Sequence, residues 1–92
     1  MIDEIIWDDT FKRIYKKWSK RHPDLVNTFR NKLDLFVRNP FHPSLRTHSL
    51  SGILAGLWSF SITYEHRLIF KFIGKGKRKV QLIDLGSHDE VY

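Results

Sequence analysis

The sequence contains no cysteine, only three prolines and five glycines, and no long hydrophobic run. The lack of cysteine excludes disulfides, thiolate catalysis and cysteine-built zinc or iron–sulfur sites. No segment approaches the roughly 20 consecutive apolar residues that a membrane-spanning helix needs, so no membrane partner is expected. Residues 1–9 carry four carboxylates where a secretory signal would carry Lys or Arg, which predicts a cytoplasmic protein.

The 92 residues, of which 41% are hydrophobic, are predicted to form one domain over residues 1–92. A chain of this size buries only about 60% of its unfolded surface. We therefore expect the three Trp, three Tyr and seven Phe residues to lie mostly in the core.

Acidic residues are scarce in the middle of the chain. Only Asp24, Asp34 and Glu65 lie within residues 10–83, and all sixteen Lys and Arg residues lie there too, which gives this segment a net charge of +13. Such a surface attracts polyanions because each cation set against a phosphate releases counterions. Charge alone leaves open a nucleic acid, an acidic protein partner or a solvated basic face.

Hydrophobic spacing predicts a short strand followed by two helices. The run from Met1 to Trp7 is typical of a strand. Asp8, Asp9 and Thr10 offer N-cap oxygens to a first helix, whose apolar stripe is Phe11, Ile14, Tyr15 and Trp18. A second helix is predicted from Pro23-Asp24 to Asn39-Pro40, so the pair forms a helical hairpin.

The second half of the sequence predicts three strands. Residues 40–56 show no period and are expected to form a long loop. Alternation then indicates a half-buried strand from Leu57 to Thr63, followed by strands Arg67–Ile73 and Lys79–Leu85 in an antiparallel meander. The order β-α-α-β-β-β predicts an α+β fold, with an antiparallel sheet packed on the N-terminal helical hairpin.

Three of the five histidines fall at predicted element boundaries, namely His48, His66 and His88. If they converge beside Arg67, two imidazoles and a guanidinium suffice to cleave RNA by attack of its own 2′-hydroxyl, with no metal or other cofactor. A zinc site is the weaker alternative because no HxxxH or HExxH spacing occurs. His22 and His42 are expected to be turn or surface residues.

The segment Gly86-Ser87-His88-Asp89-Glu90-Val91-Tyr92 allows two interpretations. Either Val91 and Tyr92 simply dock this segment on the core, or Tyr92 stacks on a substrate base while His88 reaches the phosphate. Charge and spacing do not decide between them.

Four motifs resemble one family. The segments are His48-Ser49-Leu50-Ser51-Gly52, Gly56-Leu57-Trp58-Ser59, Glu65-His66-Arg67-Leu68-Ile69-Phe70 and the segment from Gly86 to Tyr92. Together they resemble the RelE/ParE superfamily of type II toxins, and within it the YafQ- and YoeB-like mRNA interferases. The resemblance implies a microbial-ribonuclease-like fold and metal-independent cleavage of mRNA in the ribosomal A site.

Site roles follow from that resemblance residue by residue. It implies that His88 is the general acid, His48 the base and Arg67 the group that stabilises the phosphorane, while Tyr92 stacks on an mRNA base. His66 stands where YafQ-like toxins carry an acidic residue, which leaves the base open among His48, His66 and Glu65. His66, Arg46 and Lys79 complete the expected substrate-binding set.

The resemblance also implies partners. A cognate antitoxin would wrap the toxin and mask its site, and the complex would bind operator DNA only through the antitoxin. The basic first helix and the Lys75–Lys79 turn would contact ribosomal RNA. Two alternatives remain, a ParE-like DNA gyrase inhibitor that acts by binding and an inactive nucleic-acid-binding relative. His88 and Tyr92 argue against the gyrase alternative.

Overall fold

A computed structural model describes all 92 residues. It contains three helices and five strands, joined in part by short 3-10 turns. The elements in chain order are β1 (Glu4–Ile6), α1 (Asp9–Arg21), α2 (Val26–Arg38), β2 (His48–Ser49), β3 (Trp58–Ser61), β4 (His66–Ile73), β5 (Lys79–Ser87) and α3 (His88–Val91).

The five strands form one sheet in the order β1-β5-β4-β3-β2. The predicted meander of β3, β4 and β5 is confirmed as antiparallel, and the α+β class with it. The sheet is nevertheless mixed, because β1 pairs parallel to β5. A parallel pair needs a crossover, and the helical hairpin between β1 and the meander supplies it.

The helical hairpin forms as predicted. The Asp8 side chain accepts a hydrogen bond of 2.8 Å from the Phe11 amide and so caps α1. Phe11 and Trp18 from α1, and Phe29 and Phe36 from α2, are buried against the sheet. Phe36 stacks on Phe60 of β3 with ring centroids 4.6 Å apart, which places the centre of the core between α2 and the sheet.

The expectation of one long loop over residues 40–56 was wrong in part. The segment contains two 3-10 turns, Pro43–Leu45 and Gly52–Leu54, and the edge strand β2. Leu45 is fully buried and fixes the first turn on the core. The segment therefore extends the sheet beyond β3 and brings His48 onto it.

The two faces of the sheet are both covered near β3. The first face packs on α1 and α2, whereas the outer face carries Ser59, Ser61, Arg67 and Ile69, which are paired across β3 and β4. Strand β3 was predicted to be half-buried, yet Ser59 and Ser61 are only 0% and 8% exposed. The correction has a local cause, since the segment that follows β5 folds back over this part of the outer face.

No helix combines the length and apolar character needed to span a bilayer.

Candidate active site

The one-turn helix α3 forms because Ser87 and Glu90, at its start, satisfy each other's hydrogen-bonding groups. The Ser87 amide donates to Glu90 Oε1 at 2.9 Å, and the Glu90 amide donates to Ser87 Oγ at 3.3 Å. This arrangement is a capping box. Its S-x-x-E signature is present in the sequence at Ser87, although no helix was predicted there. These hydrogen bonds to Ser87 also lower the pKa of Glu90, which keeps its carboxylate ionised.

Contacts at both ends fix α3 on the outer face. The His88 amide donates to the Glu65 carbonyl at 2.9 Å, which joins α3 to the turn between β3 and β4. The Tyr92 hydroxyl donates to Ser59 Oγ on β3. The His88 ring packs edge-on against Tyr92 with centroids 4.4 Å apart. The docking interpretation of Tyr92 is thus supported, although its ring stays 40% exposed.

An open pocket of about 650 Å³ lies between α3 and the β3–β4 turn. It brings together three of the predicted site residues, Arg46, Arg67 and His88, with Arg46 on the loop before β2. Its walls combine cationic, acidic and aromatic side chains: Arg46, Tyr64, Glu65, Arg67, Ser87, His88 and Asp89. The pocket therefore offers cations to a phosphate together with groups that can exchange protons.

The Arg67 guanidinium is held in position by backbone carbonyls. One of its terminal nitrogens donates to Thr63 O at 2.7 Å and to His66 O at 3.5 Å. Arg67 forms no ion pair with a carboxylate of the chain. A positioned and unpaired guanidinium is suited to bind an anion such as a phosphate.

His48 lies outside the pocket lining but on the same face of the sheet. It pairs in register with Ser59, whose hydroxyl Tyr92 contacts. His48 Nδ1 is 2.8 Å from the Arg46 carbonyl. Because a carbonyl only accepts, this bond requires a proton on Nδ1, so Nε2 of the neutral ring is bare and can accept a proton.

The expected convergence of three histidines was wrong for His66. Its side chain is 7% exposed and lies on the helix-covered face, where Trp18 Nε1 donates to its Nδ1 at 3.1 Å. Its ring packs against His22 with centroids 4.5 Å apart. Burial, followed by the proximity of His22, lowers the pKa of His66. His66 is therefore a neutral structural residue that has no access to the pocket.

The low pKa of His66 predicts a loss of stability in acid. Its unfolded-state pKa is about 6.5, so below that pH the unfolded chain binds the His66 proton more readily than the folded chain does. The stabilisation is complete above this pH and is lost as the pH falls from it through the lower pKa of the folded state. We expect the melting temperature to drop between about pH 7.5 and about pH 5.5, and to drop less in His66→Gln.

His42 supplies the control for this measurement, since its side chain bonds only within its own turn, to Ser44. His42→Gln should retain the full decrease in melting temperature. An equal decrease in His66→Gln and wild type would contradict the assignment.

Lys79 does not reach the pocket, contrary to the prediction. It begins β5, whereas α3 follows the other end of this nine-residue strand, roughly 26 Å away at the usual rise per residue. Its ammonium instead lies 3.8 Å from the Glu4 carboxylate. Lys79 is thus separated from Arg67 and His88 by the length of the sheet.

Asp84 is an acidic residue that the sequence did not single out. It pairs with Ile69 and so belongs to the outer face, beneath α3. Burial raises its pKa, while a hydrogen bond from the Leu85 amide opposes the shift. What marks Asp84 is its partial burial. The sequence pattern alone did not reveal that burial.

Comparison with known proteins assigns the chain to a class. No protein-family model matches it. Over 68 residues it is 35% identical to Toxin YoeB of Escherichia coli K12, a match that covers 74% of this chain and 68% of that toxin. The structure resembles a YoeB/ParE toxin from Agrobacterium tumefaciens with a TM-score of 0.73 and 25% identity, covering 94% and 99% of the two chains.

A heterotetrameric YoeB–YefM toxin–antitoxin complex from Staphylococcus aureus contains the same fold, with a TM-score of 0.68 and 18% identity over 96% of this chain and 98% of that one. Fold and sequence similarity agree on a toxin of a toxin–antitoxin system. The chain belongs to the RelE/ParE superfamily of type II toxins.

Proposed function

We propose that this toxin is a metal-independent endoribonuclease that cleaves mRNA on the ribosome. The observation that carries the proposal is the placement of Arg67 and His88 in one open pocket, beside the half-exposed ring of Tyr92. These are the groups that transfer of a phosphoryl group to a neighbouring hydroxyl requires, namely a cation, a proton donor and a surface on which a base can stack.

The reaction begins with removal of a proton from a ribose 2′-hydroxyl. His48 Nε2 is the proposed base, since its tautomer leaves that nitrogen free. Glu65 is the alternative base because its carboxylate lines the pocket and His48 does not. The 2′-oxygen then attacks the adjacent phosphorus, and the bond from phosphorus to the 5′-oxygen breaks.

Arg67 and His88 act on the charges that this attack creates. The guanidinium of Arg67 stabilises the added negative charge on the phosphorane oxygens. His88 donates a proton to the departing 5′-oxygen. The products are a 2′,3′-cyclic phosphate and a free 5′-hydroxyl, so that the catalytic groups return to their starting states once protons have exchanged with water.

The proposed macromolecular partners follow from the family and the charge. A cognate antitoxin covers the pocket, as a toxin–antitoxin complex shares this fold, and operator DNA is bound only through that complex. The net charge of +13 over residues 10–83 suits ribosomal RNA. The mRNA strand itself occupies the pocket when the antitoxin is absent.

The test is to express the protein in a bacterium that lacks the antitoxin and to map the ends of cellular mRNA. The proposal predicts new 5′-hydroxyl ends within translated frames, which disappear when translation is blocked. Growth arrest with intact mRNA and accumulating DNA damage would instead support inhibition of DNA gyrase. Growth without arrest would favour an inactive nucleic-acid-binding relative.

Gly86 provides a test of the position of His88. A Cβ at this residue would lie 3.3 Å from Glu90 Oε1 and 3.4 Å from Val91 Cγ1, so these side chains of α3 would have to move by a few tenths of an ångström to admit it. We expect Gly86→Ala to push α3 outward and to lower the cleavage rate by about tenfold, since a 1 Å misplacement of a reacting group costs about 100-fold.

The measurement combines the cleavage rate with the NMR signals of the His88 ring, which should shift in Gly86→Ala. Melting temperature controls for folding. Unchanged His88 signals together with an unchanged rate would show that α3 tolerates the methyl group in place.

A further inference from the structure

A second depression of about 180 Å³ lies beside the pocket, at the end of β3. Lys32 of α2 and Ser44 of the first 3-10 turn after α2 form one side of it, and residues 61–64 form the other. Arg46 and Tyr64 line both depressions. The pocket and this depression therefore adjoin at Arg46 and Tyr64, and the two together are called the groove.

Tyr64 presents an exposed aromatic residue to this groove. The residue is 82% exposed. Two hydrogen bonds hold the backbone of the turn that carries it, since the Ile62 amide donates to His66 O at 2.9 Å and the His66 amide donates to Thr63 Oγ1 at 3.1 Å. An exposed ring on a fixed backbone binds a flat ligand at a small cost in conformational entropy.

Arg46 and Lys32 supply unpaired positive charge on the two sides of the groove. Neither forms an ion pair with a carboxylate of the chain. Arg46 has a φ of 52°, a left-handed conformation that is unusual for a residue with a side chain. Its amide bonds to Pro43 O at 3.2 Å and its carbonyl to His48 Nδ1, so this backbone couples the groove to the proposed base.

We propose that this depression is a nucleotide subsite for the RNA strand next to the cleaved bond. The base of a neighbouring nucleotide stacks on Tyr64, and its phosphate lies between Arg46 and Lys32. The inference rests on the proposed function, because the strand must already occupy the pocket. A nucleotide matches the groove better than an acidic peptide does, since it brings a flat aromatic ring and an anion together in one repeating unit.

The experiment is a cycle that combines enzyme variants with modified substrates. Ribosomes are programmed with mRNAs that each carry one abasic nucleotide close to the cleaved bond, on its 5′ or its 3′ side. Wild type should cleave one of these mRNAs about tenfold more slowly than the intact mRNA, because one stacked base is lost. Tyr64→Ala should show the same decrease on intact mRNA and no further decrease on that abasic mRNA.

Tyr64→Phe is the matched control, because it retains the ring and loses only a hydroxyl. It should cleave like wild type and should keep the sensitivity to the abasic position. Losses from Tyr64→Ala and from the abasic site that simply multiply would overturn the subsite.

The remaining outcomes separate the two proposals. A wild type that cleaves none of the mRNAs overturns the proposed function and the subsite together. Normal cleavage by Tyr64→Ala, combined with weaker binding of the antitoxin, overturns the RNA subsite and assigns the depression to the antitoxin.

Discussion

Replacing His88 with Gln is expected to lower the rate of mRNA cleavage by at least about 100-fold. Glutamine keeps a polar side chain of similar reach but has no proton to give to the departing 5′-oxygen. The folded structure should persist, because the side chain of His88 is 61% exposed and α3 is held mainly by the backbone and by Ser87, Glu90 and Tyr92.

A substrate with sulfur in place of the departing 5′-oxygen tests the role directly. A thiolate leaves without protonation because a thiol is far more acidic than an alcohol. The deficit of His88→Gln should therefore shrink markedly on that substrate. His42→Gln is the control, since the side chain of His42 bonds only to Ser44, in a turn outside the pocket. If His88→Gln lowers the cleavage rate equally on the sulfur substrate and on the ordinary substrate, His88 has a positioning role instead.

The helical hairpin and the meander were predictable because both depend on local signals. Asp8 before the apolar stripe of α1 defined where this helix begins, and Asn39-Pro40 defined where α2 ends. The parallel pairing of β1 with β5 was not predictable in this way, since strand pairing across 70 or more residues leaves no periodic trace in either segment.

The errors at the site have a physical explanation. His66 and Arg67 are consecutive residues of β4, and consecutive side chains of a strand point to opposite faces. Both therefore cannot face one pocket, but the predicted strand began at Arg67 and left His66 free in a turn. The capping box of α3 could have been predicted from Ser87 and Glu90. The groove at Arg46 and Tyr64 could not, because it depends on how loops from distant parts of the chain meet.

Some residues of the candidate site were thus implied by the family resemblance, whereas others were located only by the structure. Arg67 and His88 line one pocket, and the ring of Tyr92 packs against that of His88. His48 joins the same sheet face through its pairing with Ser59. In the proposed mechanism His88 is positioned by the hydrogen bonds that hold α3 over the sheet, so changes there should affect catalysis more than stability.

Replacing Arg67 with Ala is expected to lower kcat by about 100- to 1,000-fold, the usual cost of removing a group that stabilises transition-state charge. KM should change little, because the additional charge appears only on the phosphorane and not on the bound mRNA. Loss of the bond to Thr63 O removes about 1 kcal/mol of stability, so the variant should remain folded.

Two further variants separate charge, geometry and general electrostatics at Arg67. Arg67→Lys should recover only part of the rate, since an ammonium keeps the charge but not the planar donor fork that matches a phosphate. Lys71→Ala removes a cation from the same strand, outside the pocket lining, and should leave kcat within a few fold of wild type, because solvent and salt screen exposed charges beyond about 10 Å. A similar loss in Lys71→Ala and Arg67→Ala, or a loss expressed only in KM, would mean that Arg67 binds the RNA backbone and does not stabilise the phosphorane.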